Sequence, residues 1–276
     1  MLKLPNEILL SIVNLSSIPA LASLSRCSKN FHKIFSPSLY ERDLAGQSVA
    51  LERSVSRYRG PADVLNVFES ILKAGGDLGK EIEPARVAPY FSVPEAFLFD
   101  DDHKINAIHI AAYAGLTEVV EYLIKGRHVA LGTFTHSPLH YALQGRCIKT
   151  SKTLIQQGAD LCDKITSALD VAALQGLTEI VVLLVDKKGM DPDGQHTGWN
   201  PLSCAILNGG AGYKDDALAT VTFLLQRGAN PDLPVYSCEL SRENWPAAFA
   251  AWSEPGTWID STSRSGIASI TAMLPP

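Results

Sequence analysis

An all-α fold in two parts is what the sequence predicts: a short three-helix segment, then an elongated stack of helix-turn-helix units joined by hairpin loops. Three observations carry this. The stretch Ala111 to Val120 reappears as Ala172 to Val181 at an offset of 61, with eight of ten positions alike when Val119 and Ile180 count as similar. Between and after these copies stand Ser137-Pro138-Leu139-His140-Tyr141-Ala142 and Asn200-Pro201-Leu202-Ser203-Cys204-Ala205, so the anchors Ile108, Leu139, Leu169 and Leu202 are spaced 31, 30 and 33. The first forty-five residues lack the repeat but keep a helical apolar pattern. Composition agrees. With 276 residues, 46% hydrophobic and 19% charged, general disorder is excluded, and 20 Gly with 16 Pro suit many short elements joined by turns.

Taken in order, residues 1–45 begin with Pro5 opening a helix whose apolar residues Ile8, Leu9 and Ile12 recur at helical spacing. A second helix holds Leu21 and Leu24, and a third holds Phe31, Ile34, Leu39 and Tyr40. So many large apolar residues on three short helices need a partner surface. The repeat region is expected over 48–233, with units at about 48–82, 103–132, 133–163, 164–195 and 196–233. The first unit is degenerate. Its helices are expected near Val49 to Ser56 and from Ala62 to Ala74, with Gly75-Gly76-Asp77 as the closing turn. An irregular insertion, Glu83 to Asp102, follows.

The regular units share a logic. Ser137 is a good N-cap, and Pro138 takes the first helical position, where its missing N–H costs nothing. Leu139 and Ala142 form the packed face of the first helix, and Gly115 and Gly176 suit its end. Thr117 and Thr178 are expected to cap the second helix, with Glu118 and Glu179 in its first turn. Val119, Val120, Leu123 and Ile124, like Ile180, Val181, Leu184 and Val185, make its apolar stripe. Gly158-Ala159-Asp160 and Gly228-Ala229-Asn230 turn the chain into the next unit. The last unit is expected to hold a seven-residue insertion, Gly209 to Asp215, between its helices. Residues 234–276 are expected to be a worn terminal unit or cap, with a capped helix from Asn244 to Trp252, then a flexible tail.

The period near 33 with Ser-Pro-Leu-His-x-Ala resembles the ankyrin repeat. The N-terminal Leu4-Pro5-x-Glu7-Ile8-Leu9-x-x-Ile12, followed by Cys27-x-x-x-Phe31-x-x-Ile34 and Tyr40, resembles an F-box, with Tyr40 standing where Trp is more usual. The second resemblance implies a Skp-type adaptor as partner and, through it, the cullin scaffold of a ubiquitin ligase. It places Leu4, Pro5, Ile8, Leu9, Ile12, Leu21, Leu24 and Tyr40 on the adaptor face, and Phe31 and Ile34 in the core of the box. The first resemblance implies a protein client held at the hairpin tips and first helices. By register these positions are Asp101, His103, Tyr113, Gln144, Lys164, Gln175, Trp199 and Asn208, with Tyr113 and Trp199 the strongest anchors.

Enzyme chemistry finds no support. His136 and His140 lack the Glu of a zinc-protease motif, and His109 and His140 share one repeat register whose other members are Asp170 and Ser203, which fits a structural hydrogen bond. Gly209 to Gly212 lacks a phosphate loop's Gly-Lys-Ser/Thr ending. No Gly-x-Ser-x-Gly elbow occurs. Asp100-Asp101-Asp102 reads as a solvated tip. Five cysteines, an odd count without a Cys-x-x-Cys pair, exclude a zinc or disulfide framework and are expected to be small buried thiols. No cofactor or metal is therefore expected. A net charge of −5 lacks the basic footprint of a nucleic-acid binder. Ile8 to Leu24 is interrupted by Ser11, Asn14, Ser16, Ser17, Pro19 and Ser23, too polar for a membrane span. The expectation is a cytoplasmic or nuclear substrate receptor of a cullin-based ligase. The alternative is an ankyrin scaffold or inhibitor that recruits no ligase.

Overall fold

In a computed structural model, residues 5–45, 49–56, 60–82, 105–129, 131, 137–162, 167–194, 200–210 and 214–230 are described. Among them the fold is helical and no strand occurs beyond two isolated antiparallel bridges, Ile82 with Ile105 and Cys162 with Ser167. The expected insertion Glu83–Asp102 and the tail 234–276 lie outside the described residues. The Ile82–Ile105 bridge, with Ile82 N–H donating to Ile105 O at 2.8 Å, closes the unit across that insertion.

The N-terminal part is three helices: α1 (Asn6–Leu15), α2 (Ile18–Cys27) and α3 (Lys29–Ala45). Leu9, Val13, Leu21 and Phe35 form a small separate core, joined by Ile12, Leu24, Phe31 and Leu39 at its edge. Phe31 thus belongs to the core as expected of it. Ile34 does not, since it is 38% exposed. On α3 the apolar positions 31, 35 and 39 recur every fourth residue, which puts Ile34 on another face.

Five helix pairs follow: α4 (Val49–Ser56) with α5 (Pro61–Lys73), α6 (Ala107–Tyr113) with α7 (Thr117–Lys125), α8 (Pro138–Gln144) with α9 (Ile148–Gln156), α10 (Ala168–Leu174) with α11 (Thr178–Val182), and α12 (Pro201–Gly210) with α13 (Lys214–Gln226). First helices pack on first helices and second helices on second helices, which makes two layers. One continuous core runs from Leu51 to Ala229, and the anchors Ile108, Leu139 and Leu169 are fully buried in it. No unit could cover its apolar face alone, so each depends on its neighbours.

Local chemistry explains where the first helices start. The Asn106 and Ser137 side chains accept from the N–H groups of Ile108 and Leu139 at 3.1 and 3.3 Å. Ser167 Oγ accepts from Asp170 N–H at 3.1 Å, and Asn200 Oδ1 accepts from Ser203 N–H at 2.7 Å. The second helices differ from expectation. Leu116 and Leu177 are the N-cap residues of α7 and α11 and provide no side-chain cap. Thr117 and Thr178 are already helical, and their hydroxyls reach sideways to Thr150 and Thr220 of the following unit, each at 2.8 Å. Close packing between second helices turns these hydroxyls into links between units.

Two length irregularities are absorbed by helices. Residues 209–215 do not form a seven-residue loop: α12 runs to Gly210 and α13 begins at Lys214, so both are longer than their counterparts in the three preceding units. Ala217, Val221 and Leu224 bury one face of α13 and make the longer helix useful to the core. After α11 the chain continues as a π-helical turn, Leu183–Lys187. Met190 N–H then donates to Leu184 O, six residues back, where Ala159 N–H in the preceding unit donates to Leu154 O, five back. The fourth unit therefore carries one extra residue, stored as a π-bulge.

Candidate functional site

The expected adaptor face divides once the helices are placed. Leu4 lies outside the described residues. Pro5 is the exposed N-cap residue of α1, and Ile8 one turn on is 48% exposed. Leu9 and Val13 occupy a second stripe, about a third of the way round the helix, and are buried. Ile12 and Leu24 are half-buried against the small core. Leu21 is completely buried, so Leu9 and Leu21 hold the three helices together and present no surface to a partner.

Tyr40 also departs from the expected face. It packs against the core of the repeat stack, near the Ser70 side chain of α5. Burial pushes its phenol above the ordinary value, against the lowering effect of Ser70, with the Asp43 charge adding to the rise. Position 40 lies beyond the turn of α3 that serves the small core, and its side chain goes to the stack.

In place of these residues, the surface of the three-helix part exposes apolar side chains that the sequence reading did not place on this face. Leu15 is 88% exposed, Ile18 is 39% exposed, and Ile34 joins them. Four of the six large apolar side chains exposed among the described residues, Ile8, Leu15, Ile18 and Ile34, lie in this short segment. The signal was present in the spacing. Ile8, Ile12 and Leu15 follow i, i+4, i+7, while Leu9 and Val13 follow i, i+4 on the second stripe. A helix apolar on two faces has one face for its own core and one that water solvates poorly.

In the repeat stack, Tyr113 and Gln144 are the last residues of their first helices, Gln175 is the C-cap residue of α10, one position later in register, and all three are half-exposed. They share one edge because the units approach closely there. A Cβ on Gly145 would stand 2.1 Å from Tyr113 O. Cys147 Sγ donates toward Tyr113 O and Gly145 O at 3.3 and 3.2 Å. Burial raises the Tyr113 phenol, helped by Cys147. Asp101, His103, Lys164 and Trp199 lie outside the described residues. Asn208 sits on α12, within a stretch whose side chains are likewise outside the description.

The histidine register reads as structure. His109 Nδ1 accepts from Asn106 N–H at 3.1 Å and closes a capping box, and Asp170 Oδ2 does the same service for Ser167, accepting from its N–H at 3.3 Å and its hydroxyl at 2.7 Å. Among the described residues no group of three His, Cys, Asp or Glu side chains is placed to hold a metal. Cysteine burial is narrower than expected. Cys204 is buried and Cys147 half-buried, while Cys27 and Cys162 are exposed. No described helix is long and apolar enough to cross a membrane.

Comparison with known families agrees with both ends. Residues 1–41 match the F-box domain model, and residues 92–165 match the model of ankyrin repeats in three copies. No curated protein matches the chain. The chain therefore carries an F-box domain followed by ankyrin repeats, a pairing of families that are typically non-catalytic adaptors.

Proposed function

We propose, from an F-box domain standing ahead of ankyrin repeats in one chain, that this protein is the substrate-recognition subunit of a cullin-based ubiquitin ligase. The box docks a Skp-type adaptor, and the repeat stack holds a protein client. The chain supplies no acid, base or nucleophile. It acts by proximity, raising the concentration of client lysines near the charged ubiquitin carrier. The observation that carries this is the doubly apolar α1, with Ile8 and Leu15 turned to solvent while Leu9 and Val13 fill the core. A scaffold that bound only a client would have no use for that outer stripe.

Ile8 and Leu15, flanked by Pro5, Ile12 and Leu24, form the adaptor face in this reading. The client edge is Tyr113, Gln144 and Gln175, continued by the register positions Asp101, His103, Lys164, Trp199 and Asn208. Such a receptor works in the cytoplasm or nucleus. The test is binding of the full chain to a purified Skp-type adaptor. Burial of one such side chain contributes roughly 1.5–3 kcal/mol, so Ile8→Lys with Leu15→Lys removes at least about a hundredfold in affinity. Wild-type chain that ignores the adaptor, where another F-box protein binds it, leaves the non-ligase scaffold as the reading.

A further inference from the structure

Helix α3 belongs to two cores. Its first three turns give Phe31, Phe35 and Leu39 to the core of the box, with the Phe31 and Phe35 rings 5.3 Å apart. Its last turns give Tyr40 and Leu44 to the core of the repeat stack. Gly76, at the end of the first repeat unit, leaves room for this. A Cβ there would meet Leu44 Cδ2 at 2.7 Å and Ile71 Cγ2 at 2.6 Å.

Two adjacent side chains fasten the helix in opposite directions. Arg42 Nη1 donates to Ser16 O at 2.7 Å, and Nη2 donates to Asn14 O at 3.4 Å, so the guanidinium closes the C-terminal end of α1. Asp43 is 6% exposed. Its Oδ1 accepts from Val49 N–H at 3.1 Å and its Oδ2 from Ala50 N–H at 2.9 Å, which caps the N-terminus of α4. A buried carboxylate with both oxygens engaged is costly to release. Pro37 removes one rung of the ladder near the middle of the helix, yet α3 stays helical from Lys29 to Ala45.

We infer that α3 is a strut shared by the box and the stack, with Arg42 and Asp43 as its positioning residues, so that docking at the box face and order in the first repeat unit are thermodynamically coupled. Ligand binding to one part then protects the other, because α3 cannot leave one core without disturbing the second. The first repeat unit, covered by α3 on its outer side, is in this view the stack's N-terminal cap, and a client on the repeats stands in a fixed direction from the adaptor. The coupling to docking rests on the adaptor reading above. The coupling within the free chain does not.

Hydrogen exchange on the full chain separates the two. Leu44→Ala touches only the stack side, yet amides of α1 and α2 should exchange about tenfold faster along with those of α4 and α5. Asp43→Asn, which keeps the side chain's shape and removes one acceptor, should do the same to a smaller degree and serves if Leu44→Ala does not fold. Added Skp-type adaptor should slow exchange in α5, which lies outside the box. Loss of protection confined to α4 and α5, with α1 and α2 as in wild type, overturns the strut. So does adaptor binding that leaves α5 exchange unchanged. A chain that binds no adaptor at all overturns the ligase reading instead, and the strut is then decided by the free-chain exchange alone.

Discussion

Arg127 and Arg146 both adopt φ 54°, where the equivalent residues of other units are glycines. Gly158, Gly189 and Gly228 stand in Arg127's place with φ of 81°, 69° and 91°, and Gly115 and Gly176 stand in Arg146's with 72° and 63°. An L-residue there costs roughly 1–2 kcal/mol, while glycine loosens the unfolded chain by about 0.4–1 kcal/mol. Arg127 is exposed and has no ion pair among the described residues. Arg127→Gly should therefore stabilise the protein by about 0.5–1 kcal/mol, read as a higher denaturant midpoint at unchanged slope. Arg146 differs, because its guanidinium crosses the glycine turn of the fourth unit to reach Asp216 at 3.0 Å. An exposed pair is worth about 0.2–1 kcal/mol, which offsets the gain, so Arg146→Gly should be close to neutral. A lower midpoint for Arg127→Gly, or equal shifts for both, would rule out backbone strain as the deciding term.

The helices show what periodicity can and cannot reveal. Anchors, the Ser137 cap and turn glycines were legible because each has a distinct chemistry at one position: the first helices do begin at residues such as Pro138 and Pro201, and the turn at Gly158 is left-handed. The π-turn at Leu183–Lys187 was not legible. The run Val181 to Val185 is apolar at every position, so it has no phase from which a surplus residue stands out. The extension of α12 escaped for a related reason, since Gly209 and Gly210 read as loop while the helix runs through them. The extra residue of the fourth unit makes a sharp prediction. Deleting Lys187 should restore the five-back pattern of the other units and keep a folded, cooperative stack. Deleting Gln156, at the matching place in α9, turns Ala159 off the core and should cost several kcal/mol, about what a core cavity costs. Thermal unfolding of both variants checks it; equal damage would mean the π-turn is required.

At the scale of the whole molecule, sequence reading found the box and the repeat stack but not which side of each helix is buried, because a helical stripe identifies a side without saying which way that side points. Leu9, Leu21 and Tyr40 were apolar in the right register and turned out to serve the two cores, while Leu15 was overlooked on the free side. The packing of the repeat stack sets how the protein responds to alkali. Burial raises the phenols of Tyr40, Tyr113 and Tyr141 above 10.0 and the thiols of Cys147 and Cys204 above 9.0. These groups stay neutral when folded, whereas the unfolded chain ionises them at the ordinary values. Above about pH 9 the unfolded state therefore binds fewer protons, and stability falls as pH rises. Their contribution is complete below pH 9 and is lost through the window above it, with the phenols joining from pH 10. Tyr141 is buried with its ring edge-on to His109 at 5.1 Å, so Tyr141→Phe keeps the packing and deletes the ionisation. Denaturant midpoints between pH 8 and 11 should fall for wild type and fall less steeply for Tyr141→Phe. Parallel slopes would show that the phenol ionises freely in the folded stack, and that the third unit opens at the first helix it needs to keep closed.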